Sequence, residues 1–140
     1  MQGFETHELP EGTELPGMLA TFSSYQDLFG PCHPLTLRLL TELGIMLWRH
    51  RRTNDALIVL QQGLRDSTRA FGRNHDLRLR LLATLRDLFM ELADCEKAAA
   101  AQKELLDRYV ELFGAEHTET CAARETLERL LLQNPASDAA

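Results

Sequence analysis

The sequence predicts an all-α chain of repeated antiparallel helix hairpins, about six helices in all. Three observations carry this: a self-match at an offset of 42 residues, apolar residues that step by three or four within each unit, and a glycine at the same register of every unit. Gly30, Gly72 and Gly114 lie one period apart, and so do His33, His75 and His117. The segments around them read Phe29-Gly30-Pro31-Cys32-His33, Phe71-Gly72-Arg73-Asn74-His75 and Phe113-Gly114-Ala115-Glu116-His117. The register persists downstream, where Leu35, Leu37, Arg38, Leu39, Leu40 and Leu43 return as Leu77, Leu79, Arg80, Leu81, Leu82 and Leu85.

The first helix is expected over 16–29, with Pro16 in the opening turn, where its missing N–H would have no helical partner anyway. Leu40, Leu43 and Leu47 share one helical face, as do Leu57, Leu60 and Leu64, and this places helices over about 34–50 and 54–71 around a turn near 51–53. The next pair falls at about 76–91 and 95–113, and a last helix at about 118–133. The alternation at Leu35, Leu37 and Leu39 stops at Leu40, so a strand reading fails. Gly72 follows the last periodic residue of its helix and suits a left-handed terminus, with Asn74 or His75 starting the next helix. The domain is thus read as 16–133, between a flexible acidic segment at 1–15 and a disordered tail at 134–140.

The 140 residues are 44% hydrophobic and 26% charged, a composition that excludes a disordered chain and is large enough for a core without metal or disulfides. Cys32, Cys95 and Cys121 are odd in number and lack paired spacing, which argues against a disulfide framework and points to a cytoplasmic, reducing compartment. The first 17 residues lack the apolar stretch of a signal peptide, and no apolar run approaches the roughly 20 residues of a membrane span. The net charge of −6 is uneven: the ends are acidic, while the stretch 38–86 is rich in Arg. That middle would steer an acidic ligand, or simply solvate helix faces.

The linker Gly30-x-x-His33-Pro34-x-Thr36-Leu37, followed by Leu43-Gly44 and then Asp55-Ala56, resembles the 42-residue tetratricopeptide variety found in kinesin light chains and bacterial signalling proteins. The resemblance spans about 16–133 and implies a right-handed stack of hairpins that binds protein on a concave face lined by the first helix of each pair. It puts Gly44 where the two helices of a hairpin cross closely and Ala56 where the second helix returns. The chain departs from the pattern at Arg86, which stands for Gly44 one repeat on and should point outward or push its hairpin apart. It departs again at Arg51 and Ala93, where the family has a turn glycine, so these turns should be less sharply left-handed. The family's groove Asn is replaced by Glu42, Thr84 and Thr126.

Carried over by register, the partner-binding groove consists of Arg38, Thr41, Glu42, Ile45, Trp48 and Arg49 in the first pair, and Arg80, Thr84, Asp87, Met90 and Glu91 in the second. Arg38 and Arg80 share one repeat position and could offer planar donor forks to carboxylates, with Trp48 and Met90 as apolar anchors. The same residues also fit plainer roles, Trp48 as core filling and the arginines as a solvated face.

The three repeated histidines are one hairpin apart, too far to meet at one zinc ion, whose ligands sit about 2 Å from the metal. Their expected work is local: each ring packs on the preceding Phe and bonds nearby backbone. Phosphate-loop, dinucleotide, metalloprotease and nucleophile-elbow motifs are all missing from the sequence, so neither catalysis nor a cofactor is expected. Arg65, Arg69 and Arg73 line one helix face, but the net charge opposes a nucleic-acid reading. The last helix carries Leu127, Leu130, Leu131 and Leu132 with no helix after it, which suggests self-association as a homodimer or a continuation into a larger protein. The leading function is therefore a noncatalytic adaptor for an acidic or mixed protein segment. A small-ligand or peptide sensor and a structural homo-oligomerisation module are the rivals.

Overall fold

The computed structural model describes residues 14–133, which form six α-helices: α1 (Glu14–Phe29), α2 (Pro34–Arg49), α3 (Thr53–Phe71), α4 (Asp76–Glu91), α5 (Cys95–Phe113) and α6 (Thr118–Leu132). The described chain is all-α, and consecutive helices are joined by short turns into antiparallel hairpins. α1 opens at Glu14, so Glu14 and Leu15 of the segment read as flexible are helical. The rest of that segment and the tail at 134–140 lie outside the described residues. The chain divides into two compact units between Gly63 and Leu64, inside α3.

In the first unit the apolar stripe of α2 supplies the core through Leu37, Leu40, Leu43, Met46 and Leu47, all buried, with Ala56 and Leu60 from α3. Gly44 sits at the crossing, as its register implied. A Cβ added there would lie 2.5 and 2.6 Å from Cδ2 and Cγ of Leu60, a residue with no exposed surface. Only a residue without a Cβ lets the two helices approach this closely. α1 is tied to α2 by the Thr36 hydroxyl, which donates to the Tyr25 carbonyl at 3.3 Å.

The second unit centres on Leu79, Leu82, Ala101 and Leu105, with Leu64, Ala83 and Tyr109 packed around them. Here the counterparts of Gly44 and Leu60, one period on, are Arg86 and Gln102. Arg86 neither points clear of the hairpin nor leaves it unsupported: its NH1 donates to Gln102 Oε1 at 2.8 Å, and its NH2 pairs with Asp87 at 2.9 Å. Gln102 is buried and in turn donates Nε2–H to the Ala123 carbonyl at 3.0 Å, linking α5 to α6. An apolar contact in one repeat has become a satisfied polar chain in the next. Burial is tolerated because each polar group has a partner.

The turns after α2 and α4 correct the sequence expectation. Arg51 and Ala93 have φ of 64° and 61°, fully left-handed although neither is glycine. The hydrogen bonds explain why. Arg52 N–H reaches the Leu47 carbonyl and Arg51 N–H the Trp48 carbonyl, while Asp94 N–H and Ala93 N–H repeat the pattern on Phe89 and Met90. These are paired 6→1 and 5→2 bonds, which close a helix only with the intervening residue left-handed. Two recovered hydrogen bonds outweigh a steric cost of roughly 1–2 kcal/mol for a residue with a Cβ. Ala93→Gly should therefore raise stability by about 0.5–1 kcal/mol, the relief being partly offset by the greater freedom of glycine in the unfolded chain. Urea unfolding of the two proteins checks this, and an unchanged or lower midpoint refutes it.

Candidate functional site

The first helix of each pair is started by the same device. Pro34 opens α2 after His33, whose ring Nδ1 accepts the Leu35 N–H at 3.1 Å. His75 does the same for Leu77 N–H at the start of α4, and His117 for Glu119 N–H at the start of α6. An acceptor on Nδ1 places the proton of the neutral ring on Nε2. Each imidazole also stacks on the aromatic ring four residues before it: His33 on Phe29 at 4.7 Å, His75 on Phe71 at 4.2 Å, and His117 on Phe113 at 4.7 Å between centroids. The repeated histidines thus serve as helix caps. Gly30, Gly72 and Gly114, with φ of 87°, 85° and 91°, turn the chain so that ring and cap coincide. Among the described residues, no group of three or more His, Cys, Asp or Glu is placed to hold a metal ion. No helix among them is long and apolar enough to cross a membrane.

Started this way, α2 turns its leucines inward and presents the candidate groove residues on the remaining face. Arg38, Glu42 and Arg49 are exposed, and Ile45 and Trp48 are half-buried. Thr41 is a correction, for it is buried at 2% exposure and its hydroxyl donates to the Leu37 carbonyl at 3.0 Å. With its one donor spent inside the helix, it offers nothing to a partner. On α4, Arg80, Asp87 and Glu91 are exposed, Thr84 is half-buried, and Met90 is 43% exposed. Thr84 donates to the Arg80 carbonyl at 2.9 Å, and Asp87 is engaged by Arg86. α2 therefore carries charged groups beside Ile45 and Trp48, and α4 charged groups beside Met90, the mixture typical of interface anchors.

α6 needs a second correction. Leu130 is buried at 2% exposure and belongs to the core, because α6 lays one face on α5. Leu127 is half-buried. The apolar residues that α6 leaves outside are Leu131 and Leu132, at 43% and 76% exposure.

Among the buried polar residues that sequence reasoning missed are Arg78, Gln102 and Arg108. The signal for Arg78 lay in the repeat itself. Thr36 and Thr120 occupy its position in the neighbouring repeats, and both donate to a Tyr carbonyl, Tyr25 and Tyr109, at 3.3 Å. Arg78 instead donates Nε–H to Thr68 at 2.7 Å and NH1 to the Arg73 carbonyl at 3.1 Å, and pairs with Glu104 at 2.6 Å.

The family model described as Tetratricopeptide repeat matches residues 36–76. Among solved structures, a crystal structure of nearly identical TPR-like repeats from Podosopora anserina, named for the kinesin light chain, superposes with a TM-score of 0.74 at 16% identity. The match covers 86% of this chain and 57% of that one, so the chain spans little more than half the length of the structure it resembles. No curated protein matches the sequence. At this identity the likeness establishes the fold, a tetratricopeptide-like helical repeat.

Proposed function

We propose that this chain is a noncatalytic protein-interaction module that takes an acidic or mixed protein segment on the outer face of the first helix of a pair, α2 in the first unit and α4 in the second, each by itself, in a reducing, cytoplasmic setting. The observation that carries the reading is the composition of those faces: Arg38 and Arg80 exposed at one repeat position, with Trp48 and Met90 further along the same helices. Guanidinium groups recognise carboxylates through paired donors, and a large, partly exposed side chain nearby supplies apolar area for burial. The fold supports the reading, since repeated hairpins provide extended surfaces for polypeptide.

Charge reversal at both arginines, Arg38→Glu with Arg80→Glu, should weaken partner binding at least tenfold, since each lost charge-assisted contact is worth about 1.5 kcal/mol or more. Helicity should stay unchanged because both side chains are exposed. The check is a pull-down with the double variant as bait, followed by titration of the recovered partner. Equal capture by wild type and variant would refute these faces. A second reading, a homodimer through the end of α6, is favoured by the exposure of Leu131 and Leu132.

A further inference from the structure

On the second unit, away from the α4 face just described, α5 and the α3–α4 link border a cavity of about 470 Å³. Arg73, Arg78, Lys103 and Arg108 line it, with Glu104 and Asp107 as its acids. A second hollow of about 380 Å³ adjoins through Thr68 and Arg78 and adds Arg65 and Arg69 to its walls. The arginine stripe of α3 thus converges with basic residues from α4 and α5. Volumes of this size suit a small molecule.

The partners of each charge show what is left for a ligand. Glu104 is taken by Arg78, whose three donor groups are all engaged and whose side chain is 6% exposed. Asp107 lies 3.6 Å from Lys103. Arg108, 9% exposed, gives NH1 to Glu111 at 3.2 Å, but its Nε is buried without a hydrogen-bond partner. An unpaired guanidinium donor at such depth is costly unless something accepts its proton. The repeat does not demand these bases, since one period earlier their positions hold Pro31, Thr36, Gln61 and Asp66.

We propose that this cavity binds the oxyanion of a small molecule, phosphate or carboxylate, held by Arg73, Lys103 and the guanidinium of Arg108, whose buried Nε–H reports the change in its surroundings. Arg78 forms a fixed positive wall behind it, clamped by its own bonds. The site is independent of the outer face of α4: Arg80 lies two residues beyond Arg78, about 200° around the helix.

The test follows the Arg108 Nε–H signal in nitrogen-15 NMR while inorganic phosphate, and separately malonate, is added at ionic strength held constant with sodium chloride. A saturable shift with phosphate, malonate or both supports the site and identifies the anion class. Arg73→Gln combined with Lys103→Gln, both at exposed positions, should weaken that binding about tenfold or more. Arg129→Gln, exposed on α6, should leave it unchanged. No Nε–H shift with either anion, or equal affinity in the Arg73/Lys103 double variant, overturns the proposal.

Discussion

Gly44→Arg should destabilise the first unit by about 3 kcal/mol or more, even though it installs the residue that the next repeat carries at the same position. The new Cβ would fall 2.5 Å from Leu60, which has no exposed surface to retreat into. Overpacking of this kind costs roughly 1–3 kcal/mol, and a guanidinium pressed against leucine without an acceptor adds its desolvation. Removing a mid-helix glycine returns only about 0.5–1 kcal/mol. In a chain of this size the net loss corresponds to a fall in Tm of roughly 10 °C, readable by circular dichroism. A Tm indistinguishable from that of the wild type would refute the crossing.

Adding Leu60→Gln should recover about 1–2 kcal/mol of that loss by giving the guanidinium the acceptor that Gln102 gives Arg86. The rescue should stay partial, because position 45 is Ile where the second repeat has Asp87, the other partner of Arg86. The two positions thus act as a coupled pair, Gly with Leu or Arg with Gln. Additive losses in the Gly44→Arg/Leu60→Gln double variant would refute that coupling.

Arg78→Met should cost about 2–3 kcal/mol, measured by urea unfolding. Methionine fills similar volume, so the loss reports the polar contacts: the bond to Thr68, the bond to the Arg73 carbonyl and the pair with Glu104. The full penalty of breaking a buried ion pair is larger, but Glu104 is 37% exposed and regains water when released. Arg52→Ala provides the contrast. Its pair with Asp55 is short, at 2.7 Å, but both side chains are about half exposed, so solvent screens it and the loss should stay under about 0.5 kcal/mol. If Arg78→Met costs no more than Arg52→Ala, the buried network does not hold the joint between α3, α4 and α5.

Helix existence, order and near-exact bounds were determined by the sequence alone. A 42-residue recurrence with apolar steps of three and four admits one secondary-structure assignment, and Gly72 and His75 mark where one helix stops and the next begins. The histidine caps and the tight crossing at Gly44 were legible for the same reason: both depend on residues close in the chain or fixed by the repeat. Turn handedness was not legible at Arg51 and Ala93, because side-chain preference is a weaker force there than two backbone hydrogen bonds.

Tertiary structure alone decided which polar residues are spent and which face outward. Thr41 and Thr84 look alike in sequence, and each bonds a carbonyl of its own helix, yet the first is buried and the second reaches the surface. Leu130 and Leu131 are neighbours, but the packing of α6 on α5 buries one and leaves the other half out. Arg78, Gln102 and Arg108 read as surface residues by type, and the fold buries all three. Periodicity is a local property written along one chain direction, whereas burial and hydrogen-bond partners depend on side chains brought together from 10 to 26 residues apart.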